Sequence, residues 1–128
     1  KEIEALLAAD GKRRYEYFIH RVCATRKVWG LYADGWASLG DDDEKQKLIL
    51  FWPHEVFATR FRTEAWQAYV PKAIELDAFL TRWIPGMKLE GVGPAIFPVG
   101  SGSAVLVTLE DLDANLRHEL SEVHGEDV

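Results

Sequence analysis

The sequence predicts an α+β fold: a mostly antiparallel sheet of about five to six strands built from hairpins, with helices packed against it. Three observations carry that prediction. Short β-prone runs come in pairs around Asp-Gly and Gly-Ser turns, longer stretches place apolar residues at helical spacing, and few segments have the length of a parallel crossover.

Ile3, Leu6 and Leu7 open a short helical pattern that Asp10-Gly11 interrupts. Tyr15, Phe18, Ile19 and Val22 then form one apolar stripe on a helix from about Lys12 to Thr25, with Arg13, Arg14, Glu16 and Arg21 on its wet face. Val28 to Tyr32 and Trp36 to Leu39 are β-prone, and Ala33-Asp34-Gly35 between them supplies the positive-φ chemistry of a tight hairpin turn. Alternation sets Trp29, Leu31 and Ala33 against Val28, Gly30 and Tyr32, so one set is expected to meet the core. Residues Asp41 to Lys47 are too polar to bury, and Leu48 to Trp52 reads as a central strand.

Pro53 suits the first turn of a helix that carries Val56, Phe57, Arg60 and Phe61 and stops near Thr63. Tyr69 to Leu76 contains Pro71, which cannot donate to a ladder, so a strand there is short or on an edge. Leu76, Phe79, Leu80, Trp83 and Ile84 mark a helix ending at Pro85-Gly86. Gly93 to Val99 and Ala104 to Thr108 flank Gly100-Ser101-Gly102-Ser103 as a second hairpin. Thr108 reads as the N-cap of a final helix with Leu109, Leu112, Leu116 and Leu120 on its stripe.

The chain has 128 residues, so the expectation is a single domain over 1–128, with no linker at which to divide it. Its net charge of −6 and pI near 5.2 argue against nucleic acid or an anionic membrane as partner, because lysine and arginine carry such binding. A basic protein partner is the better match. The charge is uneven: residues 1–30 hold an excess of three positive charges, and the remainder sums to −9. One cysteine, Cys23, cannot form an internal disulfide, and no signal peptide or long apolar run is present, which points to a reducing, cytoplasmic setting.

Chemical motifs are sparse. The glycine-serine run at 100–103 precedes a strand rather than a helix and lacks the P-loop lysine, so it reads as a turn. Ser101 does not sit in a nucleophile elbow. His20, His54, His118 and His124 show no pair at metal-ligand spacing and Cys23 has no cysteine partner, so neither metal nor cofactor is expected. His20 reads as a hydrogen-bonded structural histidine and His54 as a first-turn residue. Glu110, Asp111 and Asp113 describe a solvated helix face rather than an acid-base dyad, so no catalytic residue is expected. Asp41, Asp42, Asp43 and Glu44 form the one compact charge feature, either a solvated loop or a contact for a partner's lysines and arginines.

Four segments together resemble a known family: YEYFIHRVCATRKVWGLYADGWASL, LILFWPHEVFA, WQAYVPKAIELDAFLTRWIPGM and VGPAIFPVGSGSAVLVTLEDL. Over about residues 13–113 the chain resembles the bacterial family termed Domain of Unknown Function 2750, most specifically in the Trp-Gly-Leu-Tyr-x-x-Gly-Trp hairpin and the Trp-Pro after the third strand. That resemblance implies small cytoplasmic single-domain proteins with no assigned activity. The layout also looks like domains found among immunity proteins of bacterial toxin systems, an analogy of fold alone.

The expectation for function is therefore a non-enzymatic protein that binds and neutralises a cognate toxin, such as a basic nuclease-type effector, by occlusion. The alternative is a housekeeping module that binds a small ligand or a regulatory partner. Partner-binding candidates are Asp41, Asp42, Asp43, Glu44, Trp36, Trp66 and Tyr69, because exposed Trp and Tyr beside an acidic loop have the composition of a binding hot spot. Trp36, Trp66 and Tyr69 stay open between core and contact at this point, and oligomeric state is not legible.

Overall fold

Asp10 does more than interrupt. It is the N-cap of the long second helix, its Oδ1 accepting the Arg13 N–H at 2.9 Å, so the chain stops one helix (α1, Glu2–Leu7) and starts the next (α2, Gly11–Thr25) within three residues. The computed structural model describes residues 2–39, 47–62, 66–100 and 103–124, and it is α+β. After α2 come β1 (Lys27–Tyr32), β2 (Ser38–Leu39), β3 (Lys47–Phe51), α3 (Glu55–Phe61) and β4 (Val70–Glu75). Then follow α4 (Leu76–Ala78), a π-helical segment Phe79–Trp83, α5 (Ile84–Glu90), β5 (Val92–Ile96), β6 (Val105–Leu106) and α6 (Leu109–His124).

The single sheet of five to six strands is not what forms. Among the described residues there are two sheets, an antiparallel pair β1-β4 and a four-stranded sheet in the order β2-β3-β5-β6, in which β3 and β5 run parallel. The reason lies between β3 and β5, where α3, β4 and the 76–90 helical stretch supply a crossover long enough to bring the chain back in the same direction. The two sheets are joined through the residues that flank β3 and β2. Trp29 donates its N–H to the Trp52 carbonyl at 2.9 Å, and Trp52 returns the bond at 2.7 Å.

The first expected hairpin is reduced to its turn. Tyr32 bridges Trp36 and the Ala37 N–H reaches the Leu31 carbonyl at 2.8 Å, after which β2 leaves to pair with β3 while β1 takes β4 as its partner. The ribbon is consequently covered on both sides, and Val28 and Leu31, which point opposite ways, are both fully buried. Trp36 lies over the Gly30 side, and the His54 ring sits 6.4 Å from that of Trp29 on the other. His54 caps α3 by accepting the Val56 N–H at 3.2 Å, so the helix begins after Pro53 rather than at it. The closing hairpin β5-β6 forms as expected but is short, and Leu106 is 68% exposed on its edge.

The helix expected to end at Pro85-Gly86 runs on to Glu90. A proline inside an α-helix lacks a donor and collides with the carbonyl four residues back. The π-turn resolves this: Ile84 bonds to the Phe79 carbonyl five residues back, which widens the helix at the turn Pro85 would otherwise strain.

Arg14 also departs from expectation. It is 5% exposed rather than on the wet face, because its guanidinium bonds to the carbonyls of Ala9 at 2.8 Å and Phe97 at 3.1 Å, with Ser103 at 3.5 Å. The two predicted apolar stripes, of α2 and α6, pack against each other, with Phe18, Val22 and also Cys23 buried on one side and Leu112, Leu116 and Leu120 on the other. Polar contacts trim that seam: Tyr15 donates to Asn115 Oδ1 at 2.6 Å, and His20 Nδ1 lies 3.1 Å from Glu119 Oε2, as a hydrogen-bonded structural histidine should.

Two predictions follow from this packing. Trp52→Ala is expected to lower stability by about 3–5 kcal/mol in urea unfolding, since a fully buried indole leaves a large cavity. Trp52→Phe, which mainly removes the 3.0 Å bond from Nε1 to the Pro98 carbonyl, should lower it by about 1–3 kcal/mol. The second concerns alkaline pH. Burial, helped by Glu119, pushes the Cys23 thiol from 9.0 up to about 12, and burial with Asp111 pushes Tyr15 from 10.0 up to about 12. Both groups stay protonated in the fold where the unfolded chain has lost the proton, so their contribution is intact below about pH 9 and is lost as pH rises toward 12. Melting temperature should fall across that window, and Cys23→Ala with Tyr15→Phe should flatten the slope.

Candidate functional site

A glycine in mid-strand weakens the strand unless something approaches its backbone closely. Gly30 is such a case. A Cβ there would lie 2.9 Å from Cε3 and Cζ3 of Trp36, so the six-membered ring of the indole rests on bare backbone. The turn that brings Trp36 back uses Asp34 at φ 59° and Gly35 at φ 158°, closed by the Ala33 N–H on the Gly35 carbonyl at 2.9 Å. Trp36 is then held edge-on from two directions, by Tyr32 with centroids 5.1 Å apart and by Trp83 at 5.0 Å. Trp83 in turn leans on Phe51 and Phe79 of the core.

The register of β1 against β4 adds the rest of the site. Gly30 faces Lys72 and Tyr32 faces Val70, so both β4 side chains stand on the Tyr32 side of the ribbon. The Lys72 ammonium lies 4.4 Å above the Tyr32 ring and 5.9 Å from that of Trp36. Val70 is 52% exposed and Leu39 is 36% exposed. Tyr32, Trp36 and Trp83 are half-buried, and together with Lys72 they make a braced shelf of rings on the surface.

Trp66 and Tyr69 form a second group. Their rings are 5.1 Å apart and nearly perpendicular, and they continue through Phe61 to the buried Trp52, so both are half-buried outer members of the core. Arg62 Nη1 donates to the Tyr69 carbonyl at 2.9 Å and fixes the approach to β4. Asp41, Asp42, Asp43 and Glu44 lie outside the described residues. Of the seven candidates, Trp36 therefore stands in the ring shelf and Trp66 pairs with Tyr69. Tyr32, Gly30, Lys72, Val70 and Trp83 were not picked out by sequence reasoning; a lone glycine in a strand pattern was the one available signal.

A separate cleft of about 580 Å³ opens where β6 stops short of the first half of β5, because β6 pairs only with Ala95 and Ile96. Leu48, Met87, Val92, Pro94 and Leu106 give it apolar walls. Lys88 and Glu110, 3.3 Å apart, stand between it and a neighbouring cleft of about 420 Å³. A bond from its own backbone N–H and the Lys88 ammonium hold the Glu110 carboxyl below its usual range. Among the described residues, no group of three or more His, Cys, Asp and Glu is arranged to hold a metal ion, and no helix is long and apolar enough to cross a membrane.

Fold and surface together define an acidic α+β protein whose most distinctive built feature is a ring shelf over a glycine. Residues 15–116 match the family described as Protein of unknown function (DUF2750), and the chain belongs to that family. No curated protein and no solved structure matches it.

The seating of Trp36 gives a direct test. Gly30→Ala should drive the indole off the strand, lowering stability by about 1–3 kcal/mol in chemical denaturation and shifting tryptophan emission in the folded protein. A folded variant with unchanged stability and emission would mean that Trp36 does not rest on Gly30.

Proposed function

We propose that this protein acts by binding another protein of basic character, with the Tyr32–Trp36 shelf as the contact. The observation that carries the reading is the shelf itself: wide rings fixed in place, with the exposed Val70 opposite Tyr32 across the ribbon. Immobilised Trp and Tyr lose little entropy on binding and dominate the energetics of interfaces. A net charge of −6 favours a basic surface opposite, and Asp41, Asp42, Asp43 and Glu44, which follow β2 in the chain, add to the charge that draws such a surface in. In its most specific form the reading is an immunity protein acting inside the bacterial cytoplasm, where it occludes the phosphate-binding site of a basic nuclease-type toxin; membranes and nucleic acid are not its targets.

A second reading, a housekeeping module for a small ligand, is favoured by one observation. The 580 Å³ cleft beside β5 has the volume of a small-molecule site, with polar groups of Lys88, Thr108 and Glu110 among its apolar walls. The two are separable because Trp36 does not line that cleft.

The test uses wild type and Trp36→Ser as baits in extracts of the native cell. A protein retained by wild type should lose about 2 kcal/mol or more, roughly 30-fold in Kd, with Trp36→Ser, while Leu106→Asn in the cleft leaves binding unchanged. The reverse pattern would move the protein contact to the cleft and overturn the shelf reading. Changing Asp41, Asp42 and Asp43 to Asn and Glu44 to Gln should slow association at low salt and remove most of its salt dependence, with the thermal melt nearly unmoved.

A further inference from the structure

Lys72 is an exposed lysine on an edge strand, where such residues commonly only discourage pairing with another chain. Its position says more. Of all the directions open to a four-carbon side chain, it places its ammonium over the Tyr32 face at 4.4 Å and within 5.9 Å of the Trp36 centroid. The two rings stand 69° apart, so they form two walls of a corner, and the Trp36 wall is locked from behind by Gly30 and Trp83. A ring corner held rigid before any cation arrives is the arrangement that recognises ammonium groups.

Resting on the reading of this shelf as the contact surface, we infer that Tyr32 and Trp36 form a receptor for a lysine or arginine side chain of the partner protein, and that Lys72 is its internal stand-in. The partner's cation enters as Lys72 swings out into water. Val70, exposed and paired with Tyr32 across the ribbon, covers the aliphatic stem of the incoming side chain. Lys72 thereby lowers affinity for stray cations, because a tethered competitor has a high local concentration. Only a partner with further contacts to the acidic protein displaces it. The inference commits to the chemistry of a basic side chain on a protein.

The experiment needs no partner. A tri-lysine peptide, acetylated at its N-terminus and amidated at its C-terminus, is titrated into the full chain while the indole N–H resonance of Trp36, assigned with Trp36→Phe, is followed by NMR. Lys72→Ala should bind roughly 3- to 10-fold tighter than wild type. Lys12→Ala, an exposed lysine elsewhere with the same change in net charge, should match wild type within about twofold, since screening leaves little long-range gain. In the Lys72→Ala background, Tyr32→Phe should keep the gain and Tyr32→Leu should lose it, with thermal melts confirming folded protein. The same peptide acetylated on its side chains should not bind. Equal affinities for Lys72→Ala and Lys12→Ala, or a gain that survives Tyr32→Leu, overturns the inference. Because the titration uses peptide alone, that failure leaves the Trp36→Ser bait result standing by itself, and a Trp36→Ser bait that retains the partner overturns the contact surface without touching the ring measurement.

Discussion

The rest of the structure depends on how one buried corner of backbone is satisfied. Phe97, Pro98 and Val99 follow β5 into the interior, all three buried, with Phe97 at φ 53° where a bulky side chain is strained. Buried carbonyls without partners would be costly there. The Arg14 guanidinium takes the Phe97 carbonyl and the Trp52 indole takes the next one, Pro98. The Val99 N–H closes the loop on the Ser103 carbonyl, to which Arg14 also donates. Desolvation lowers the Arg14 pKa, but an arginine buried against carbonyl oxygens stays charged and makes charge-assisted bonds. Two donors from distant parts of the chain thus tie α2, β3 and β5 to one point.

The site inherits its rigidity from that point. Trp52 holds the corner through its side chain and β1 through its backbone, by the paired bonds to Trp29. One residue along β1 is Gly30, on which Trp36 rests, and the Trp83 edge that confines Trp36 is itself braced by Phe51, the neighbour of Trp52. Core and shelf are therefore one connected arrangement of rings. This also explains why Trp66 and Tyr69 differ from Trp36: their chain of rings ends on the Trp52 side chain and completes the core from outside.

Local pattern made the helices legible. The stripes of α2 and α6, the Thr108 cap and the Pro71 edge strand follow from spacing and side-chain chemistry within a few residues, and Thr108 Oγ1 does accept the Asp111 N–H at 3.0 Å. What could not be read was non-local. Nothing in Val28–Tyr32 says that its partner is Val70–Glu75 rather than the adjacent Trp36–Leu39, because a tight turn permits a hairpin without requiring its strands to stay together. Arg14 looked solvated because its three acceptors are backbone atoms, which leave no signature in a sequence. Trp36 was recognisable as a candidate, whereas Lys72 became one only when the β1-β4 register set it over the rings.

Gly30 bears on whether the shelf is more than outer packing. A glycine within a strand destabilises it by about 0.5–1 kcal/mol relative to alanine, and a β-branched residue would serve the ribbon better still. Were Trp36 wanted only for hydrophobic burial, an aliphatic side chain at position 30 would bury that backbone and leave a smaller residue at 36. Instead the strand gives up a side chain so that a wide, half-buried ring can approach its backbone, next to a second ring and a cation. Of the five tryptophans Trp52 alone is fully buried, and the indole at 36 is the one seated on a position emptied for it.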